Sequence, residues 1–405
     1  VSKGISTSLG KNEFFTLNLI IEKEAYRING LPFDRTATNE EMLHLTKDVL
    51  QIFQEIEHKI TNQARLHLSL EDKLLLTPEE CQNYLIKLAR CGQDAYKQFF
   101  FNQDAQEKFS ELRSYPENMK FAPTIFSNYL LFPWEVIYEG DYKKGESEMF
   151  WGFHYPISRY LPVNHTPKRQ FLLSLNMLFC LHHTLSYAHK QEQPEIEKVL
   201  IKNNGKLYLL EFSRKIGKLE NGEDLLDHFY QNQYNVLHFA CHCRPCRQYE
   251  DEVDALIISF INENNNNQQI ELEIKHFNRV NGSFQCQPLI FLNACQSAGG
   301  VDDLRKTFNL PNIFIKYGAA SVIATVCPMP DVFAAAFSKV FYKFFIGKKM
   351  LIGKALCETR RFFLEKYNNP LGLAYGLYSP HDYQIAQTPT MQAFAKQTPT
   401  TVGMH

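Results

Sequence analysis

The second half of the chain sets short apolar runs against stretches of helical spacing, and that rhythm restricts the fold more than any other feature. Leu207–Leu210, Asn235–Ala240, Ala255–Phe260, Leu289–Asn293 and Ser321–Thr325 read as strands, while 225–230, 333–346 and 354–365 read as helices. Strands interleaved with helices predict a mostly parallel α/β sheet covered on both faces. In an open sheet of that kind, ligands and chemistry gather at the carboxyl edge of neighbouring strands. Two of the runs end in reactive side chains: Leu237-His238-Phe239-Ala240-Cys241-His242 and Phe291-Leu292-Asn293-Ala294-Cys295-Gln296-Ser297. A His at one strand end and a Cys at the next can meet. An imidazole that takes the thiol proton then leaves a thiolate able to attack a carbonyl.

With 405 residues there is room for one large α/β unit or two smaller ones. The net charge of −1 lacks the basic excess of a nucleic-acid binder, so no direct nucleic-acid binding is expected. No run reaches the length of apolar sequence that spans a bilayer, and the N-terminus lacks a leader pattern. The expectation is a soluble cytoplasmic protein without membrane contact. Ten cysteines without regular spacing read as reduced thiols rather than a disulfide framework.

The first half is less rhythmic. Residues 14–28 suggest a strand pair closed by Asn29-Gly30, and 41–57 carry a single apolar helical face. Thr77-Pro78-Glu79-Glu80 is a helix start, with Thr as cap, Pro at the first helical position and Glu three residues after the cap. That helix is expected to run to about Phe100, with Gly92 as a close-packing point. Residues 101–120 look like a connection, Asn264–Gln269 like a flexible surface loop, and the sequence beyond Ala386 like an unstructured tail.

Several residues admit two readings. His238 shares a face with His242 but lies inside its strand, where a core imidazole hydrogen-bonded to backbone is the simpler account. Asp331 directly precedes a helix and reads as its cap. Pro133-Trp134-Glu135 reads as a packed aromatic beside a paired carboxylate, and Arg159 as a residue that supports a loop or bridges a carboxylate. The Cys241-His242-Cys243-Arg244-Pro245-Cys246 cluster invites a zinc or redox reading. A single C-x-x-C lacks a second pair, Cys286 being the nearest spare thiol, so no metal is expected.

In their order along the chain, several strings resemble the CHAT-domain family, caspase-fold cysteine peptidases related to separases. They are His238-Phe239-Ala240-Cys241-His242, Asn293-Ala294-Cys295-Gln296-Ser297 and Ala324-Thr325-Val326-Cys327-Pro328-Met329-Pro330-Asp331. Phe132-Pro133-Trp134-Glu135, Ile157-Ser158-Arg159-Tyr160-Leu161-Pro162 and Gly353-Lys354-Ala355-Leu356 support them, over roughly residues 130–356. The resemblance implies a caspase-like sheet with a catalytic part at 166–386. An accessory, pseudo-caspase-like α/β part would occupy 1–165, and 387–405 a flexible tail.

It also implies roles. His242 would be the base and Cys295 the nucleophile of a cysteine endopeptidase that needs no cofactor. Cys243, Gln296 and Asp331 would contact substrate. Cys243 stands where the family has a Gly whose amide serves the oxyanion hole, and a left-handed backbone there would strain it. Asp331 would line a primary pocket for Arg or Lys, with Cys327 where a Trp is usual. Relatives are often regulated effectors in prokaryotic defence or cell death. The expected partners are therefore a protein or peptide substrate and either an activating partner or a second copy. Two rivals remain: a caspase-fold binding module that has lost catalysis, and a metal or redox sensor built on Cys241–Cys246.

Overall fold

A computed structural model of the chain describes residues 14–22, 25–28, 31–33, 39–99, 107, 120–127, 132–160, 171–172, 174–210, 219–244, 255–261, 267–294 and 304–386. Five strands make the first sheet: β1 (Phe14–Glu22), β2 (Ala25–Ile28), β3 (Leu31–Phe33), β4 (Lys120–Ser127) and β5 (Ser158–Tyr160), in the order β3-β2-β1-β4-β5. β1 and β2 pair antiparallel, and the chain reverses between Glu22 and Ala25. The expected turn, Asn29-Gly30, instead falls between β2 and β3 and lies outside the described residues. β4 begins where the 101–120 connection was expected to end, and runs parallel to β1 and β5.

Two long helices join these strands, Asn39–Ala64 and Pro78–Phe99. In the first, Val49, Phe53, Ile56 and Ile60 recur at spacings of three and four, and all are fully buried. The second starts at the expected capping box. Glu80 N donates to Thr77 Oγ1 (3.1 Å) and Thr77 N donates to Glu80 Oε2 (3.0 Å), which satisfies two amides that have no helical acceptor. At Gly92 the helix touches backbone: a Cβ there would sit 1.8 Å from the carbonyl oxygen of Val136.

After β6 (Phe171–Leu172), which pairs with the last strand Gln384–Ile385, comes the main sheet of eight strands. These are β7 (Asn176–Leu181), β8 (Lys206–Leu209), β9 (Val236–Arg244), β10 (Ala255–Ile261), β11 (Asn267–Leu272), β12 (Leu289–Ala294), β13 (Ser321–Thr325) and β14 (Tyr375–Tyr378). The spine β8-β7-β9-β12-β13 is parallel throughout. β14 on β13, β10 on β9 and β11 on β10 are antiparallel additions. The fold is therefore the mixed α/β, mostly parallel sheet flanked by helices that the sequence predicts. Every residue of β13 is buried, as a strand covered on both faces requires. The helix Asp331–Tyr342, buried on most of its surface, and Ile352–Tyr367 follow near their expected positions.

One expectation is corrected here. The Asn/Gln run is not all loop, because Asn267, Gln268 and Gln269 open β11, paired with Ile261, Phe260 and Ser259 of β10. Ile270 and Leu272 bury on one side of that strand while Gln269 faces outward. Backbone pairing with alternate burial outweighs the polar composition.

The edge of β9 changes partner along its length. From Val236 to Ala240 it pairs with β7, and from His242 to Arg244 with β10. β7 ends at Leu181, so the chain leaves the sheet at His182 in the fork between β9 and β10. His182 N donates to Ala240 O (2.8 Å) and His183 N donates to Ser259 O (3.1 Å), which fixes the segment there.

Far from that fork, Glu135 is wholly buried between two guanidinium groups. Arg159 contacts both its oxygens, and Arg360 Nη2 lies 3.1 Å from Oε1. Arg360 also donates to the carbonyls of Gly152 and Tyr375. The carboxylate beside Trp134 is thus paired, as expected, and its partners are Arg159 and Arg360. The trio links β5 to the helix Ile352–Tyr367. The tail, 387–405, lies outside the described residues.

Candidate functional site

His242 stands on the part of β9 that reaches past β7, with its side chain partly open to solvent. Thr184, on the segment that leaves β7, places Oγ1 3.0 Å from His242 Nε2. The same hydroxyl lies 2.8 Å from His182 Nδ1, and the His182 and His242 rings meet edge to face at 4.4 Å. Burial, with the nearby His242 and His183 rings, pushes His182 down to about 4. His183 stacks on His182, with ring centroids 4.9 Å apart, and its Nδ1 contacts Ser259 Oγ.

β12 lies parallel beside β9, with Asn293 opposite Ala240 and Ala294 opposite Cys241. Ala294 is the last described residue of that strand. Cys295 follows it in sequence, and Cys295 and Gln296 lie outside the described residues. Cys243 is half-buried and extended, paired with Leu256 of β10. It is not among the residues with left-handed backbone, so the strain expected for a Cys at a glycine position does not arise. The strand simply continues through it.

Below the site is a buried polar cluster. His238 is fully buried and stacks between Phe179 and Phe291, with ring centroids at 4.5 and 5.1 Å. Its Nδ1 lies 3.1 Å from the Tyr342 hydroxyl and its Nε2 2.9 Å from Glu192 Oε1. His238 is the core imidazole that the sequence favours, but side chains hold it rather than backbone. Glu192 Oε1 also accepts from Asn293 Nδ2 (2.9 Å) and from the Ser338 hydroxyl, while Asn293 Oδ1 accepts from Tyr375 OH (2.8 Å). One carboxylate thereby ties β9 at His238 and β12 at Asn293, two residues before Cys295.

Asp331 opens the helix that follows β13. Its two oxygens accept from the backbone amides of Tyr187 (2.9 Å) and Ala188 (3.3 Å). The carboxylate therefore caps the start of a different helical turn from the one it begins. Burial raises it to about 6, the Tyr187 amide opposes that rise, and the Glu192 charge adds to it. Cys327 is buried, and burial pushes its thiol well up.

Of the thiols in the Cys241–Cys246 cluster, Cys241 points into the core and burial raises it strongly, which makes it a poor thiolate ligand. Cys246 lies outside the described residues. Among the described residues no group of three or more His, Cys, Asp or Glu is arranged to hold a metal ion. Nor, among them, is any helix long and apolar enough to cross a membrane.

Sequence reading missed Thr184, His182 and Glu192. The apolar run Met177–Leu181 followed by a His-His-Thr string was the available signal, since it repeats the pattern of a strand ending in polar side chains.

Residues 183–383, just under half of the chain, match the model of the CHAT domain. No curated protein matches the chain. Solved structures that resemble it in outline include the following three. One is the Arg-specific cysteine proteinase gingipain R, at 10% identity and a TM-score of 0.43, covering 70% of this chain and 68% of that one. The complex of Porphyromonas gingivalis RgpB pro- and mature domains gives 10% identity and a TM-score of 0.43, covering 76% and 77%. The Saccharomyces cerevisiae separase–securin complex gives 16% identity and a TM-score of 0.38, covering 86% of this chain but only 23% of that one.

Proposed function

We propose that the chain is a cysteine endopeptidase in which His242 is the general base and Cys295 the nucleophile. The observation that carries this reading is the pairing of β9 and β12. His242 stands at the carboxyl end of one, and the other ends one residue before Cys295. The imidazole takes the thiol proton and the thiolate adds to the scissile carbonyl. Collapse expels the amine, which leaves with the proton held by His242, and a thioester remains. Water gives a proton to His242 as it attacks the thioester, and the carboxylic acid and thiol are released. Backbone amides near Cys295 and Cys243, with Gln296 beside them, would face the oxyanion and substrate. The chemistry requires no metal or organic cofactor.

The preferred residue before the cut is Arg or Lys, read by Asp331. The parallel order β9-β12-β13 supports this, because the helix opened by Asp331 follows the strand next to that of Cys295. Two amides use only part of a carboxylate's accepting capacity, which leaves lone pairs for a guanidinium. The wider role we propose is that of a regulated effector in prokaryotic defence, switched by a partner or by self-association.

A second reading, a binding module without catalysis, is favoured by Cys243, whose strand backbone differs from that of a glycine turn. A fluorogenic panel with Arg, Lys, Asp or Leu before the cut separates the two. The peptidase reading predicts turnover after Arg or Lys that Cys295→Ala abolishes. Turnover unchanged by Cys295→Ala would contradict it.

A further inference from the structure

We infer that Thr184 and His182 are positioning residues that fix the tautomer of His242, holding its proton on Nε2 and its lone pair on Nδ1. The inference rests on the reading of His242 as the base, and it adds the part a two-residue dyad lacks.

Donors and acceptors around Thr184 can be counted. The Thr184 hydroxyl lies between two imidazole nitrogens, 3.0 Å from His242 Nε2 and 2.8 Å from His182 Nδ1. It has one hydrogen to give, so it donates to one ring and accepts from the other. The backbone decides which. Thr184 N–H donates to His182 Nδ1 at 3.4 Å, so that nitrogen carries a lone pair and no proton. The hydroxyl must then donate to His182 Nδ1, and its oxygen accepts from Nε2–H of His242. In neutral His242 the lone pair is then on Nδ1, the nitrogen to which the proposed mechanism assigns the thiol proton. When His242 gains that proton, Nε2–H still donates to Thr184, and the imidazolium is stabilised by a hydroxyl already polarised toward His182.

Two further facts keep the arrangement in place. His182 is 8% exposed and is faced by His242 from β9 and by the neighbouring His183, so a proton on His182 is disfavoured and it stays an acceptor. The segment itself is pinned by the amides of His182 and His183 on β9 and β10. Thr184 is exposed, so its side chain can be changed without opening the core.

The test uses ¹⁵N-histidine NMR on the full chain, with His242 assigned by His242→Gln. The wild type is expected to show His242 protonated mainly on Nε2, Thr184→Val a mixed population, and Thr184→Ser the wild-type pattern. Equal tautomer populations and equal titration in wild type and Thr184→Val would overturn the inference, whether or not the protein cleaves peptides. On a peptide that Cys295→Ala no longer cleaves, Thr184→Val is expected to lower kcat about 10- to 100-fold with KM little changed. Thr184→Ser is expected to restore it. Unchanged kcat in Thr184→Val with Cys295→Ala inactive would sink the positioning role and leave the peptidase reading standing. A wild type whose turnover ignores Cys295 would sink the peptidase reading, while the NMR result still decides the tautomer.

Discussion

His182 carries a cost that appears in acid. Its folded value of about 4 lies below the ordinary 6.5, so as pH falls the unfolded chain takes the proton first. Stability is therefore full above about pH 6.5 and is lost progressively down to about pH 4. The shift corresponds to about 3 kcal/mol over that window. Unfolding free energies from urea titrations at pH 7 and pH 4 should differ less for His182→Gln than for wild type, by about that amount. An equal acid loss in both proteins would remove His182 as the cause. At this scale the sequence was legible where a residue's role is local. The burial of His238 and the pairing of the Glu135 carboxylate stood as expected, while their partners, Tyr342 and Glu192 for the one and Arg159 and Arg360 for the other, were not named by the sequence. Glu192 was not legible, because it lies among polar, surface-like neighbours and meets Asn293 across 101 residues of chain. Its burial is created by the packing of the helix that carries it, which local composition does not report. Cys295 and Gln296, outside the described residues, rest on the sequence alone.

At the scale of elements, legibility followed the strength of the local signal. The Thr77–Glu80 box and the 3–4 spacing of Val49, Phe53, Ile56 and Ile60 gave their helices directly. β7 and β14 were harder, since short apolar runs fit a buried strand or a helix segment equally well and only pairing decides. β11 was misread because side-chain polarity is a weak guide on a strand with one open face. Gly92 gives the sharpest check on an element. Alanine there gains about 1 kcal/mol of helix propensity, yet its Cβ would stand 1.8 Å from the Val136 carbonyl. The clash must shift the helix or the Trp134–Val136 turn, so Gly92→Ala should lower stability by about 2 kcal/mol or more in a denaturant titration. A stabilised Gly92→Ala would show that this contact is absent.

Across the whole molecule, the parallel sheet brings together residues far apart in the chain. β7 supplies the segment that carries Thr184, β9 supplies His242, and β12 leads to Cys295. The Glu192 cluster braces β9 against β12, and the Glu135–Arg159–Arg360 trio joins the first sheet's β5 to the last long helix. Parallel order was readable from the alternation of runs. The switch of β9 from β7 to β10 was not, because strand order depends on long-range pairing that no local run encodes. The most direct test of the central claim is the alkylation rate of Cys295 by iodoacetamide, followed by peptide mass spectrometry in native wild type and His242→Ala. The account predicts that Cys295 reacts at neutral pH faster than the same thiol in unfolded chain, and that His242→Ala slows it about tenfold or more. Equal rates in wild type and His242→Ala would contradict the pairing of His242 with Cys295.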